Sequence, residues 1–245
     1  MAKERDGFRS RTGFVLACIG SAVGMGNIWR FPYIVSDWGG MTFLLPYLMF
    51  VVLIASTGVI EEMALGRMAK SGPIKAFGMC TELRTGKKRT GELIGMIPVL
   101  GSMALAIGYT VVVGWIFKYA FLALSGKLYT LGQDMGAIGG LFDGTASGFG
   151  NNSWLAITVL VTAVIMAFGI AGGIEKANKV MMPLLFVLFL GLGVYIFTLP
   201  GSENGYHYIF TIDPAGLKDV RLWIYAFGQA FFSLSIAGNG TVIYG

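Results

Sequence analysis

Small and polar residues interrupt the first long uncharged segment of the chain at its centre. Gly24 and Gly26 lie within residues 12–29, and Asn27 follows directly. Glycine lets a backbone leave α-helical geometry at the lowest steric cost. In a bilayer, unwound backbone is tolerated only where it lines a cavity or a bound solute, because unpaired N–H and C=O groups are costly there. If this segment crosses a membrane, it predicts a binding site at mid-membrane depth.

The last apolar segment, residues 222–241, changes in the same way. Its small and polar residues are Ser233, Ser235, Gly238, Asn239 and Gly240. Close packing against a neighbouring helix also favours small residues, but packing does not require an asparagine between glycines. Two glycine-interrupted spans in corresponding halves of a chain are typical of a membrane-embedded binding site for solutes and ions.

The two interruptions together predict a specific chemistry. The N-terminus of a half-helix offers free N–H groups and positive partial charge to a carboxylate. The C-terminus of a half-helix and the unwound carbonyl groups offer oxygen ligands to a cation such as sodium. A solute that carries both a carboxylate and an ammonium group would suit both ends.

The composition predicts an integral membrane protein. The chain is 55% hydrophobic and 13% charged, with a mean hydropathy of +0.71, whereas soluble domains have about 25% charged residues. A cytoplasmic N-terminus, residues 1–11, would precede one transmembrane domain, residues 12–245. Uncharged runs predict six spans, at about 12–36, 40–66, 93–124, 154–172, 178–199 and 221–245. No HExxH, CxxC, P-loop or GxSxG motif occurs in a usable context, which argues against an enzyme.

Lysine and arginine predict the orientation. Most of the 18 basic residues fall before the first span, after the second, or between the fourth and fifth. By the positive-inside rule those segments are cytoplasmic, so we expect a multi-pass cell-membrane protein with its N-terminus inside. The net charge of +5 then reflects topology rather than binding of nucleic acid. Contact of residues 84–89 with anionic lipid is a further interpretation.

Several segments resemble the neurotransmitter:sodium symporter family. They are GSAVGMGNIWRFPY at 20–33, Trp38-Gly39-Gly40, PYLMF at 46–50, EEMALGR at 61–67, GIEKANKVMMP at 173–183 and GQAFFSLS at 228–235. The resemblance implies an all-α integral membrane protein with the five-plus-five inverted-repeat fold of these transporters, in which helices 1 and 6 are broken.

The resemblance also implies a function. It predicts sodium-coupled symport of neutral amino acids by alternating access, as in the bacterial sodium-dependent amino-acid transporters, and no enzymatic activity. Gly24 stands where amine-transporting relatives carry an aspartate, so the substrate must supply its own carboxylate. Gly238 in place of a bulky residue favours a larger apolar or aromatic amino acid.

The resemblance covers only the first half of such a transporter. We therefore expect a chain truncated after the first six spans, and full function only in a full-length form. The rival interpretation is a non-transporting membrane fragment, or a scaffold that binds a ligand or a partner chain.

By position, the resemblance implies ligands for two sodium ions: Ala22, Asn27 and Ser233 for the first, Gly20 and Val23 for the second. It also implies a substrate site, lined by Ser21, Ala22, Met25, Gly26, Leu105, Tyr109, Phe232, Ser233, Ser235 and Gly238.

Further roles follow from the same resemblance. Tyr109 and Phe232 would close the outer path, with Arg30 and Gln229 as an extracellular gate and Arg5 as a cytoplasmic latch. Three residues match part of the chloride site of chloride-dependent relatives, namely Tyr47, Gln229 and Ser233. A carboxylate at membrane depth needs a partner, so Glu62 is expected to brace unwound backbone.

Overall fold

The computed structural model describes residues 7–132, 134–236 and 238–245. Among these residues the α-helices are α1 Arg11–Ala22, α2 Phe31–Asp37, α3 Met41–Ile54, α4 Ile60–Ala69, α5 Pro73–Thr85, α6 Lys88–Leu124, α7 Met135–Ala146, α8 Asn152–Ala167, α9 Glu175–Phe197, α10 Ser202–Phe210, α11 Val220–Ser233 and α12 Gly240–Tyr244. Five-residue π-helical turns lie at Gly26–Arg30, Ala55–Val59 and Ile170–Ile174. Arg5, the predicted cytoplasmic latch, lies outside the described residues.

Length and apolar composition distinguish the helices that could cross a membrane. Three continuous helical segments qualify among the described residues, namely Met41–Ala69, Lys88–Leu124 and Ile170–Phe197. A fourth candidate is the pair Arg11–Ala22 and Gly26–Asp37, which is bent by 59° at a short break. The helix Asn152–Ala167 is apolar but shorter. The count of six spans stays a prediction.

Two of the predicted spans differ in extent from their helices. The helix of the third predicted span, α6, begins at Lys88 rather than at residue 93. Gly86, with a φ of 70°, ends α5 sharply, and the next helix starts shortly after it. The fourth predicted span corresponds to the 16 residues of α8, about 24 Å at the usual helical rise.

The chain divides into two compact units. The larger consists of Gly7–Gly101 and Glu175–Gly245. Three helix pairings build it: α3 packs on α11, α1 on α9 and α4 on α12. Its buried apolar cluster joins α2, α3 and α11 through Ile34, Val35, Phe43, Leu222 and Ala226.

The smaller unit includes Ser102–Ile174. Its helices are held by aromatic pairs and polar contacts. Phe121 of α6 lies 5.4 Å from Trp154 of α8 between ring centroids. The side-chain amide of Asn151, at the start of α8, donates to the Val111 carbonyl at 3.0 Å.

Candidate functional site

The first helix is interrupted immediately after Ala22. Val23 is extended, with φ −83° and ψ 95°, although its N–H still donates to the Ile19 carbonyl at 2.8 Å. Helical geometry resumes as a π-turn at Gly26. Loss of the α-helical register between these points turns backbone groups of α1 away from their usual partners, which makes them available to side chains and ions.

The last helix unwinds between Ser233 and Gly240. Ser235 has a φ of 52° and Asn239 a φ of 65°, in the left-handed region that asparagine tolerates and serine rarely adopts. The interruption therefore depends on these two polar residues as well as on the glycines, and Ala237 between them lies outside the described residues.

Direct hydrogen bonds join the two interruptions. The Ser233 hydroxyl donates to the side-chain oxygen of Asn27 at 2.6 Å. The amide nitrogen of Asn27 donates to the Ala22 carbonyl at 2.7 Å. A second link runs from the Ser235 hydroxyl to the Ser21 carbonyl at 2.9 Å. Residues more than 200 positions apart in sequence thus meet at one point.

This convergence brings together oxygen atoms of three kinds. The Ala22 carbonyl, the Asn27 amide oxygen and the Ser233 hydroxyl lie in one hydrogen-bonded chain. Carbonyl, amide and hydroxyl oxygens are hard, uncharged ligands, which suit a hard cation. The chemistry of this donor set therefore fits a sodium ion.

Gln229 adds a buried amide beside these oxygens. Its side-chain nitrogen donates to the Ser233 hydroxyl at 3.2 Å and to the Gly26 carbonyl at 3.4 Å. The residue is only 2% exposed, and its amide oxygen has no hydrogen-bond partner among the described residues. Buried polar atoms normally have partners, so this oxygen is a candidate acceptor for a bound group.

Arg30 lies in a separate open cleft. The cleft has a volume of about 400 Å³, and its walls include Tyr33, Asp37, Trp38 and Tyr225. Arg30 is exposed there, whereas the hydrogen bonds of Gln229 run to the interrupted helices. The predicted pairing of these two residues in one gate stays a prediction.

Phe232 packs against the backbone at Gly26. A Cβ atom at position 26 would overlap the Phe232 ring, and Gly26 is buried. Glycine is needed here for close approach of the ring, in addition to any need for backbone freedom. The arrangement places the predicted aromatic lid directly on the predicted substrate segment.

The carboxylate of Glu62 contacts the start of α12. The Thr241 hydroxyl donates to it, and Thr241 is 9% exposed. Four residues along α4, Gly66 allows the Val242 carbonyl to approach so closely that a Cβ would collide with it. Glu62 and Gly66 therefore fix the second half of the last interrupted helix against α4. The predicted bracing of unwound backbone by Glu62 itself stays a prediction.

We expect Glu62→Ala to lower the free energy of unfolding by about 2 kcal/mol, since a hydrogen bond to a charged group is lost and a buried hydroxyl loses its acceptor. The matched control is Glu61→Ala, because Glu61 is adjacent and exposed. Surface changes of this kind usually alter stability by less than about 0.5 kcal/mol. Denaturant unfolding in mixed micelles measures both, and equal effects would contradict the assigned contact.

The remaining predicted residues are distributed over the fold. Met25 lies between the extended Val23 and the π-turn, and Gly238 lies within the unwound segment. Tyr47 of α3 stacks on Phe43, with ring centroids 6.0 Å apart. Leu105 and Tyr109 belong to the part of α6 in the smaller unit, so their place beside the substrate stays a prediction. Roles in binding stay predictions for all of them.

Some contacts at the site were not anticipated from the sequence. The Asn239 amide donates to the Pro98 carbonyl at 3.0 Å. Gly20 lies against Asn178 and Met182 of α9, so a predicted carbonyl ligand lies on a packed face. Ser10 caps α1 and contacts Glu175. The capping serine had a sequence signal, since serine before an apolar helix is a typical start; the long-range partners had none.

The chain is similar in sequence to a family of known proteins. The profile of the sodium:neurotransmitter symporter family matches residues 5–131 and 141–245. An uncharacterized sodium-dependent transporter of Methanocaldococcus jannaschii is 33% identical over 98% of this chain and 48% of its own length. The human protein named inactive sodium-dependent neutral amino acid transporter B(0)AT3 is 27% identical over 100% of this chain and 42% of its own.

A solved structure matches the fold. The crystal structure of MhsT in complex with L-phenylalanine has a TM-score of 0.84 and 38% sequence identity. The match covers 98% of this chain and 53% of MhsT. The predicted all-α transporter fold with broken helices is therefore confirmed. The chain spans about half the length of the relatives it matches.

Proposed function

Because the chain belongs to the sodium:neurotransmitter symporter family, a family of transporters rather than enzymes, we propose that it forms the sodium- and substrate-binding part of a symporter for neutral amino acids. The relatives from Methanocaldococcus jannaschii and human are both described as sodium-dependent transporters. The proposed activity is that of the full-length protein.

One observation carries the proposal. The Asn27 amide links the Ala22 carbonyl of the first interrupted helix to the Ser233 hydroxyl of the last. A cation among these oxygens would contact both helices at once, so its binding would depend on their relative position. Such dependence is what coupling of ion binding to a conformational change requires.

A larger apolar or aromatic amino acid is the proposed substrate. Gly24 leaves the first interruption without an acidic side chain, so the carboxylate of the substrate itself would neutralise the sodium ion. The Phe232 ring on Gly26 provides an apolar surface, and the matched MhsT structure contains L-phenylalanine. Tyr109 and Leu105 are proposed as further substrate-binding residues.

The proposed mechanism is alternating access driven by sodium. Moving each charge through 100 mV provides about 2.3 kcal/mol, so each sodium ion adds substantially to substrate accumulation. A second ion is proposed at the Gly20 and Val23 carbonyls. Closure over the substrate is assigned to Phe232 and Tyr109, with Arg30 and Gln229 at the outer gate and Arg5 on the inner side.

Chloride dependence, location and orientation complete the proposal. The buried Gln229 amide and the Ser233 hydroxyl would be chloride ligands together with Tyr47. The protein is a membrane protein, and we place it in the cell membrane with its N-terminus cytoplasmic, following the distribution of basic residues.

Uptake into proteoliposomes tests the proposal. We expect the full-length protein to accumulate labelled phenylalanine when sodium is outside, and unlabelled leucine or tryptophan to compete more strongly than glycine. Vesicles without protein give the background. Equal accumulation with sodium or potassium outside would contradict symport and favour the non-transporting interpretation.

A further inference from the structure

A buried carboxylate of α9 lies against the N-terminus of α1. Glu175 is the first residue of α9 and is 1% exposed. Its two oxygens accept hydrogen bonds from the Arg9 backbone N–H at 2.7 Å, the Ser10 hydroxyl at 2.8 Å and the Lys179 ammonium group at 2.6 Å. Buried carboxylates need such full pairing, and two of these three donors precede α1.

Ser10 makes this contact part of the cap of α1. Its hydroxyl also accepts a hydrogen bond from the Gly13 N–H at 3.0 Å, which satisfies one of the free donors of the first turn. The positive N-terminal end of α1 thus lies against the negative charge of Glu175. A helix N-terminus favours an anion, so the carboxylate stabilises this end of α1.

The close approach depends on Gly13. A Cβ atom there would overlap the Glu175 carboxylate. Further along the same face of α1, Ala17 is fully buried and Gly20 faces Asn178 of α9. The face of α1 that packs on α9 therefore has small residues at these three positions, and Glu175 of α9 makes a charged contact with it.

The contact lies at the end of α1 that is farthest from the interruption. The 12 residues of α1 form a rod about 18 Å long, and the chain leaves helical geometry at Val23. Interruptions of this kind act as hinges. A contact at the opposite end of α1 therefore restricts the rotation of α1 about Val23 and Gly24 more than a contact near the interruption would.

We propose that Glu175 is a positioning residue, which clamps the N-terminus of α1 to α9 and thereby sets the place of the carbonyl groups at the end of α1. The expected effect on sodium binding rests on the proposed function, in which Gly20, Ala22 and Val23 are sodium ligands. The expected effect on the position of α1 does not depend on that proposal.

The two cysteines of the described residues provide the test. Cys18 lies on α1 and Cys80 on α5, and both are partly buried free thiols. Labelling of the full-length protein in liposomes with a membrane-permeant maleimide, followed by peptide mass spectrometry, gives both rates in one sample. Cys80 reports general loosening of the fold, and Cys18 reports release of α1.

Glu175→Gln keeps the shape of the side chain and removes its charge. We expect Cys18 to be labelled about tenfold faster, since strong charge-assisted hydrogen bonds are weakened, while the Cys80 rate stays unchanged. Ser10→Ala should give a smaller increase, and Ser10→Thr, which keeps the hydroxyl, should restore the original rate. Lys176→Gln, at an adjacent exposed position, is the matched control.

Protection of Cys18 by sodium distinguishes the proposed clamp from the proposed sodium site. We expect sodium to protect Cys18, and the half-protecting concentration to rise about tenfold in Glu175→Gln as the ligand carbonyls lose their position. An unchanged Cys18 rate in Glu175→Gln, or an equal rise at Cys80, overturns the clamp. Faster Cys18 labelling without any sodium protection in the original protein supports the clamp and contradicts the sodium site.

Discussion

Replacement of Asn27 by alanine is expected to weaken sodium-dependent uptake of amino acid by the full-length protein more than any other single truncation at the site. Asn27 donates to the Ala22 carbonyl and accepts from the Ser233 hydroxyl, so alanine removes one contact within the first interruption and one contact between the two interruptions. Loss of groups that hold metal ligands typically costs about 10–100-fold in affinity. The sodium concentration for half-maximal uptake should rise by that factor.

Two comparison variants sharpen this prediction. Asn204→Ala removes the same amide from an exposed position on α10 and should leave the sodium response unchanged. Asn27→Asp keeps an oxygen toward Ser233 and loses the donor toward Ala22, so its response should lie between those of the original protein and Asn27→Ala. An unchanged sodium response in Asn27→Ala would show that Asn27 holds no ion.

Gly26→Ala is expected to raise the KM for phenylalanine about tenfold, because overpacking costs about 1–3 kcal/mol and a factor of ten corresponds to about 1.4 kcal/mol. The added methyl group would overlap the Phe232 ring and displace the proposed lid. The sodium response should change less, since Gly26 contributes no predicted sodium ligand. Initial uptake rates at varied phenylalanine concentration measure the effect.

A compensating change tests the cause. Gly26→Ala combined with Phe232→Leu should recover part of the lost affinity, because the smaller side chain leaves room for the methyl group. Gly228→Ala is the matched control, since a Cβ there would meet no described atom within 4 Å. A KM that Gly26→Ala leaves unchanged, or a defect that Phe232→Leu does not relieve, would contradict the assigned contact.

The sequence predicted the existence of both interruptions but only part of their geometry. Gly24 and Gly26 indicated where α1 ends, within a few residues, because glycine lowers the steric cost of leaving the helix. In the last helix the left-handed residues are Ser235 and Asn239. Ser235 is also bonded to the Ser21 carbonyl, a contact between distant parts of the chain that local propensity cannot encode.

For the two carboxylates Glu62 and Glu175 as well, the sequence indicated less than the structure shows. Glu62 was predicted to need a partner on energetic grounds alone, and in the structure it accepts a hydrogen bond from the Thr241 hydroxyl. Glu175 was part of a family motif without an assigned role, and its three donors became evident only from the packing of α1 on α9. A sequence indicates that a carboxylate must be paired, whereas the fold determines with which group.

Binding of radioactive sodium to the purified full-length protein tests the central claim most directly. If Asn27 joins the two interruptions in one sodium site, the original protein should bind sodium saturably and choline should not compete. Asn27→Ala should lose at least one bound ion per protein, and Asn204→Ala should lose none. Equal sodium binding by Asn27→Ala and the original protein would contradict the account.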